Sequence, residues 1–395
     1  MSRLTIHLFA ILALTIVMSC PSAAQTKIEF QAAKGFTDNL VQDTSSADDA
    51  YTSAKVSVKV YPLSGLEINL KNEYTLYRDL EQLSNFKGDI GFTYLPLGYS
   101  SRFSLYINGN FNSTVYRKQF QFYNVDNYDS YISFGFSPAA VSQFRIGWTY
   151  NNAKYSNELK AEPNEYGILT TFDMMADNDT HELFVGGTQS FEFLGSNAFD
   201  FETGYSWKNL TYVTTPDTSD RIFLNPNRDT LKDGQLKSFY VSPRYSRSMG
   251  NKIGLSLIYI YRSFKNPDVM TIPGGSTGFL SPWASVYEGQ SMTGILKTFV
   301  VPNFIVSGGV GYWDKDFLIT EYALIDDRIS TPPYIFRDRH DYQWKYFLSV
   351  QKPFPLRSGS LIEPALQIDY IDNKSDIPDY MYTNFSILAA VKIKM

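Results

Sequence analysis

Cysteine is almost missing from this chain of 395 residues: Cys20 is the only one. No intrachain disulfide and no thiolate zinc cluster can form. Histidine is nearly as scarce, limited to His7, His181 and His340. A metal centre built on several imidazoles is therefore not expected, and no cofactor is called for. Long apolar runs are lacking as well. After the N-terminus no stretch stays apolar for the ~20 residues that a spanning helix needs. A basic excess is absent: the net charge is −5, which offers nucleic acid no basic patch. No block of like charges marks an acidic or basic tail.

Aromatic residues are what the chain has in excess. They make up 16% of it, with 29 Tyr and 29 Phe, and 44% of all residues are hydrophobic. The mean hydropathy is nevertheless slightly polar. A chain that is apolar at every second position has this profile, as transmembrane barrels do.

The first residues read as a targeting segment. Arg3 supplies a positive start, Leu8 to Met18 is an apolar run broken only by Thr15, and Ser22-Ala23-Ala24 offers the small residues of a cleavage site. Residues 1–24 are thus expected to be a signal peptide, and 25–395 one barrel domain. A second reading takes Val17-Met18-Ser19-Cys20 as a loose lipobox, with Cys20 lipidated. Either route exports the chain.

From Gln25 onward, segments of about ten residues alternate strictly between apolar and polar. Leu66, Ile68, Leu70, Tyr74 and Leu76 share one face; Glu67, Asn69, Lys71, Glu73 and Thr75 share the other. Arg102 to Asn108, Gln143 to Tyr150, Ala198 to Trp207 and Leu361 to Tyr370 repeat the pattern. A slip of one residue would exchange the two faces, so the alternation also fixes register.

The connections alternate between two kinds. Short ones, rich in Pro, Gly, Ser or Asn, occupy Pro62–Gly65, Pro96–Ser100, Pro138–Ser142, Leu194–Asn197, Ser248–Asn251, Val301–Asn303 and Pro353–Gly359. Each lies between two alternating segments, which is the hairpin signature. Longer polar ones occupy Thr37–Ala50, Arg117–Asn127, Ser156–Asn178, Val213–Gln235, Lys265–Gly289 and Phe317–Arg339, with shorter members near Arg78–Leu83 and Asn373–Asp379. With a first strand near Lys27–Gly35 and a last near Tyr380–Met395, the total is about sixteen strands, an even number that returns both termini to one side. The fold class is therefore all-β: a transmembrane, antiparallel, up-and-down barrel of about sixteen strands, with short periplasmic turns and longer extracellular loops. A soluble β-sandwich or propeller is the competing reading; no fixed-period repeat supports a propeller.

Many tyrosines fall near strand ends, namely Tyr61, Tyr77, Tyr94, Tyr116, Tyr150, Tyr212, Tyr261, Tyr312, Tyr342 and Tyr370. They are candidates for aromatic girdles at the two membrane interfaces. Ordinary strand propensity for Tyr is the alternative.

Gly35-Phe36-Thr37-Asp38-Asn39, followed by an acidic loop through Asp43, Asp48 and Asp49 and an alternating strand from Tyr51, resembles the β-barrel porin families of the bacterial outer membrane. The last strand resembles outer-membrane barrels in general: Phe385, Ile387, Ala389, Val391 and Ile393 share a face. The resemblance implies a cell outer-membrane location. It implies outer-membrane lipid, lipopolysaccharide and the barrel assembly machinery as partners. Such chains typically end on an outward aromatic that this machinery reads, whereas this one ends on Met395.

If the apolar face meets lipid, the other lines a lumen. The basic candidates there are Lys55, Lys59, Lys71, Lys87, Arg102, Arg145, Lys208, Arg244, Arg262 and Lys345. The acidic ones are Glu67, Glu73, Asp89, Glu202, Glu363 and Asp369. A sheet buried on both faces would not tolerate them, whereas a wet lumen would. Their slight basic excess leans toward anions, although charges of both signs can also pair across strands. A constriction is sought in the long loops, above all Lys265–Gly289 with Pro273-Gly274-Gly275, Gly278 and Trp283.

Three function classes fit. The first is a porin-like channel for passive diffusion of small solutes or ions. The second is an export conduit for a polymer. The third is a non-conducting barrel acting as rim hydrolase, adhesin or anchor, a class kept open by inward bulk at Phe184, Ile258, Ile260, Ile305, Trp313 and Phe347. No catalytic site is expected. The one hydrolase hint is His340 near Asp338, with Asp177 and Asp179 elsewhere, a loose likeness to the omptin proteases. No Gly-x-Ser-x-Gly elbow is present.

Overall fold

The fold was analysed on a computed structural model. It describes residues 25–42, 46–97, 102–117, 120, 123–155, 177–211, 234–250, 252–265, 271–272, 287–299, 301–324, 334–356 and 359–395. The expected signal segment, Cys20, Tyr212 and most of the long loops, including Pro273–Gly275, Gly278 and Trp283, lie outside the described residues.

Sixteen long strands make one sheet. They are β1 (Gln25–Thr37), β2 (Asp49–Leu63), β3 (Leu66–Tyr77), β4 (Asn85–Tyr94), β5 (Phe103–Tyr116), β6 (Val125–Ala139), β7 (Ser142–Tyr155) and β8 (Asp177–Glu192). The second half holds β9 (Ser196–Thr211), β10 (Gly234–Met249), β11 (Ile253–Lys265), β13 (Tyr287–Thr298), β14 (Ile305–Leu324), β15 (Tyr334–Gln351), β17 (Leu361–Ser375) and β18 (Tyr382–Lys394). Two segments of two residues, β12 (Thr271–Ile272) and β16 (Phe354–Pro355), attach to β14 and β17. Each long strand pairs antiparallel with the next, and β1 pairs with β18 from Glu29↔Lys394 to Thr37↔Ser386. The sheet closes on itself, so no strand edge is left exposed along the wall.

The expected turns fall where the hairpins turn. Leu63↔Leu66, Ala139↔Ser142 and Glu192↔Ser196 are the last pairs before three of them. At Leu194–Gly195 both residues have positive φ, 50° and 118°. A Cβ on Gly195 would stand 2.4 Å from the Ser248 carbonyl oxygen, so close backbone approach as well as φ requires glycine there. Two boundaries differ from expectation. Much of the segment expected as a loop at Phe317–Arg339 is strand, because β14 and β15 continue pairing through Leu324↔Tyr334. Tyr380 belongs not to the last strand but to a 3-10 turn, Pro378–Tyr380, with Pro378 at its start.

Which face is inside follows from contacts that skip a strand. A closed sheet is concave within, so only inward side chains converge over an intervening strand. Arg145 of β7 reaches Glu202 of β9 at 2.8 Å, passing over Gly186 of β8. Phe184 of β8 lies over Gly147 of β7 to stack on Tyr131 of β6, ring centroids 5.4 Å apart. Tyr240 of β10 covers Gly204 of β9 and reaches Glu182 of β8 at 3.1 Å. All three crossings occur on the polar face, so the polar face is the inner one. The apolar face is outside and open: Ile146 is 57% exposed and Val185 53%. A hydrocarbon surface of this extent is stable only against lipid.

The glycines beneath these crossings are a packing requirement. A Cβ at Gly147 would sit 2.4 Å from the Phe184 ring and 2.6 Å from the Ile132 carbonyl oxygen. Gly147→Ala is expected to cost about 1–3 kcal/mol, as overpacked sites do. Denaturant unfolding of the refolded barrel measures it. Phe184→Ala should rescue only part of the loss, because the Ile132 carbonyl is backbone.

Candidate functional site

The candidate site is the inner wall. In-register partners share a face, so the pairing places every expected lumen residue. Lys55↔Glu73↔Lys87 and Lys71↔Asp89 lie on one rung system with Gln31 and Glu29. Lys59 and Glu67 lie below them, toward the short turns. Arg145, Glu202, Lys208, Arg244 and Arg262 register onto the same face through β7 to β11. Lys345, Asp369 and Glu363 join it through β15 to β18. Arg102 precedes β5 in the phase of inward Ser104, which pairs with Gly135 and through it with Arg145. By register these residues share one face of the sheet, the one that carries the strand-skipping contacts.

Most of these charges are paired. Lys59 meets Glu67 at 2.6 Å, Lys55 meets Glu73 at 3.8 Å, and Lys71 meets Asp89 at 3.9 Å. Lys345 meets Asp369 at 3.5 Å, Lys394 meets Glu363 at 2.7 Å, and Lys392 meets Glu29 at 3.4 Å. Cross-strand pairing is thus the main arrangement on the arc from β15 round to β4. Side chains there keep substantial water contact: Lys71 is 46% exposed and Lys345 41%. Partly exposed pairs of this kind contribute little stability, about 0–1 kcal/mol each. Their value is to keep a charged wall neutral while leaving it wet.

The arc from β7 to β11 differs. Glu202 accepts from Arg145 and, at 2.9 Å, from the Tyr240 hydroxyl, while Thr188 donates to Asp200 at 2.6 Å. Among the described residues, Lys208, Arg244 and Arg262 make no ion pair; Arg244 donates to the Ser256 hydroxyl at 3.1 Å. Lys87 and Arg102, outside this arc, also make no ion pair among the described residues.

Inward aromatic and aliphatic bulk is present too. Phe184, Ile258, Ile260, Ile305, Trp313 and Phe347 all register inward. At the long-loop end sequence reading picked out Arg262 but not the inward group around it. Arg262 and Lys315 lie over the Tyr287 ring at 5.7 and 5.3 Å. Arg339 is held between Phe317 and Tyr380, 4.1 and 3.6 Å from the ring centres, and donates to Asp341 at 2.9 and 2.5 Å. These residues are separated in sequence, and only their common phase on neighbouring strands could have signalled them.

Several tyrosines face the opposite way from a girdle. Tyr61, Tyr77 and Tyr116 register inward, beside Gln25, Tyr51 and Asn85. Position at a strand end sets height; parity sets the face, and these three have inward parity. Tyr94, Tyr150, Tyr261, Tyr312, Tyr342 and Tyr370 do face outward. Around Tyr150 the outer face forms a stacked row with Trp148, His181 and Trp207, His181 and Trp207 being 5.3 Å apart. Asp179 and Asn209 lie one step above and hydrogen bond at 2.8 Å. The step from apolar band through rings to amide and carboxylate marks the membrane boundary.

The loose protease constellation is not assembled. Asp177 and Asp179 are on β8 and His340 is on β15, across the barrel. His340 faces outward, contacts Asp316 through Nδ1 and lies 3.1 Å from Asp314 through Nε2. His181 lies 3.4 Å from Asp179. The Asp338 side chain lies outside the described residues. Among the described residues, no group of three His, Cys, Asp or Glu side chains converges on a metal position.

No protein-family model and no curated protein matches the sequence. Solved structures of similar shape include CdiB from Acinetobacter baumannii, at 10% identity and a TM-score of 0.47, covering 93% of this chain and 60% of that one. The chain thus spans less than two thirds of CdiB. OccAB1 of Acinetobacter baumannii is 9% identical with a TM-score of 0.45, covering 95% of this chain and 98% of that one. A BenF-like porin from Pseudomonas fluorescens Pf-5 is 8% identical with a TM-score of 0.43, covering 95% and 100%. At these values the likeness is one of general barrel shape, and the assignment rests on the chain's own closed register. The chain is a sixteen-stranded outer-membrane-type β-barrel with an apolar outer wall and a charged, largely ion-paired inner one.

Proposed function

We propose that this barrel is a porin-like channel of the bacterial outer membrane, carrying small solutes or ions by passive diffusion. The observation that supports it best is the wet inner wall, where partly exposed Lys–Glu and Lys–Asp pairs line the arc from β15 to β4. A barrel filled as a solid core would have apolar residues at those positions. Residues 1–24 serve as the export signal in this reading, and N-terminal sequencing of the mature protein should begin at Gln25. Lipid, lipopolysaccharide and the barrel assembly machinery are its partners, and no catalytic group is needed.

Planar-bilayer recording of residues 25–395 tests the channel. Stable conductance steps are expected. The reversal potential in a salt gradient should show a mild anion preference, because Lys208, Arg244 and Arg262 bring positive charge without ion-paired carboxylates among the described residues. Replacing all three by Gln should weaken that preference with little change in conductance. A correctly inserted barrel that never conducts would sink the channel. The inward bulk at Phe184, Trp313 and Phe347 favours one other reading, a non-conducting barrel with a surface role.

A further inference from the structure

Inward side chains in a wide, water-filled barrel should be wet, and those of the lower wall are. At the long-loop mouth, from β14 through β18 and β1 to β4, they are dry. Asp49 is fully buried, Asn39 and Asp341 are 1% exposed, and Arg339 is 6% exposed. Asn373, Asn384 and Thr37 are buried with them. Something must stand on the lumen side of this arc.

The covering groups are identifiable. The turn Pro378–Tyr380 folds in over the ends of β14 and β15. Its Tyr380 ring caps the Arg339 guanidinium, and its carbonyl accepts from Asn373 at 2.8 Å. Ile377 and Tyr380 are themselves buried. The backbone amide of Asp376 donates to the His340 carbonyl at 3.1 Å, which pins the segment's start. On the other flank the loop after β3 wraps Asp49. The carboxylate of Asp49 accepts from the amides of Arg78, Asp79 and Leu80 at 2.7–3.2 Å. Leu83, in the 3-10 turn that follows, is buried. Arg78 and Asp79 stay in solvent, where the Arg78 guanidinium, 2.6 Å away, holds the Asp79 carboxyl below its usual range.

One hydrogen-bonded run joins the two flanks. Lys315 donates to Gln343, Gln343 to Tyr382 and Tyr382 to Gln42, at 2.9, 2.9 and 3.3 Å. Asn39 ties the Gln42 amide to the Thr383 carbonyl, and Asn384 links Asn39 to Thr37. The run crosses the seam where β18 meets β1. Side chains linked in a buried hydrogen-bonded run of this kind restrain one another.

We infer that this shelf, formed by residues 376–381 and 78–84 on a fixed polar base, narrows the mouth and sets the size limit of the channel. The inference rests on the channel reading above. A rigid shelf gives a constant cut-off, whereas a loosely held loop would give a fluctuating one.

The test uses the full mature barrel, with a thiol-free background, in bilayers and in liposomes with sugars of rising size. Tyr380→Gly should raise single-channel conductance about two-fold and admit a larger sugar, since a pore's limit follows its diameter. Should that variant fail to fold, Pro378→Cys serves instead. Pro378 is exposed on the same turn, and a bulky maleimide there should cut conductance. The same label on Lys374→Cys, which is exposed on the outer face in register with Tyr342, should not. A conducting wild type whose current and sugar limit ignore both changes overturns the shelf. A folded wild type that never conducts overturns the channel reading, and the shelf's role with it.

Discussion

Asp341→Ala is expected to destabilise the barrel by about 3–5 kcal/mol, the loss seen when one partner of a buried ion pair is removed. Asp341 is 1% exposed and holds Arg339 through two charge-assisted bonds, while also accepting from Asn373 at 3.1 Å. With Asp341 gone, the guanidinium held between Phe317 and Tyr380 loses both of these charge-assisted bonds. The double change Arg339→Met with Asp341→Leu should recover most of the loss, since apolar replacements of similar size restore buried pairs well. Urea unfolding in detergent or lipid, followed by tryptophan fluorescence, measures both. If Asp341→Ala unfolds at the wild-type midpoint, the pair is not a structural anchor.

A charge on the outer wall should cost nearly as much. Val185→Arg places a guanidinium in the middle of β8, on the face shared with Leu183 and open to lipid. The expected cost is about 2–4 kcal/mol, that of an arginine near the bilayer midplane. Thr188→Arg, three residues along the same strand, is the control. Its side chain faces inward, and Thr188 already hydrogen bonds Asp200, so an arginine there gains an ion pair. A midpoint for Val185→Arg no lower than for Thr188→Arg would contradict the assignment of faces.

The contrast between these two substitutions explains what could be read from the chain alone. In a strand the side chain alternates sides at every residue, so parity is a local property. Leu66, Ile68 and Leu70 against Glu67, Asn69 and Lys71 fix the two faces of β3 before any partner is known. Pro62–Gly65 and Leu194–Asn197 mark where hairpins turn, because their Pro, Gly, Ser and Asn residues favour turn backbone. Parity together with turns yields strand number, register and the face on which each side chain of a strand lies.

The tyrosines show where local reading stops. Tyr61, Tyr77 and Tyr116 stand at strand ends like Tyr94 and Tyr150, yet they point inward. Their parity was legible; their membrane height was the feature that suggested a girdle. Ion-pair choice was only half legible. The Lys55–Glu73 pair follows from hairpin register, but Arg145–Glu202 needs the curvature that brings β7 toward β9 and a glycine between them.

What the sequence determined by itself is the barrel: its strands, turns, two faces and even closure, all set by short-range periodicity and backbone preference. What only the tertiary structure decided is which inward residues are wet. Arg339, Asp341 and Tyr380 become a dry cluster because β14, β15 and the turn after β17 meet there, and Asp49 because a loop from β3 folds over it. Burial within a lumen depends on what the rest of the closed wall leaves in front of a side chain, and no local pattern along one strand encodes that.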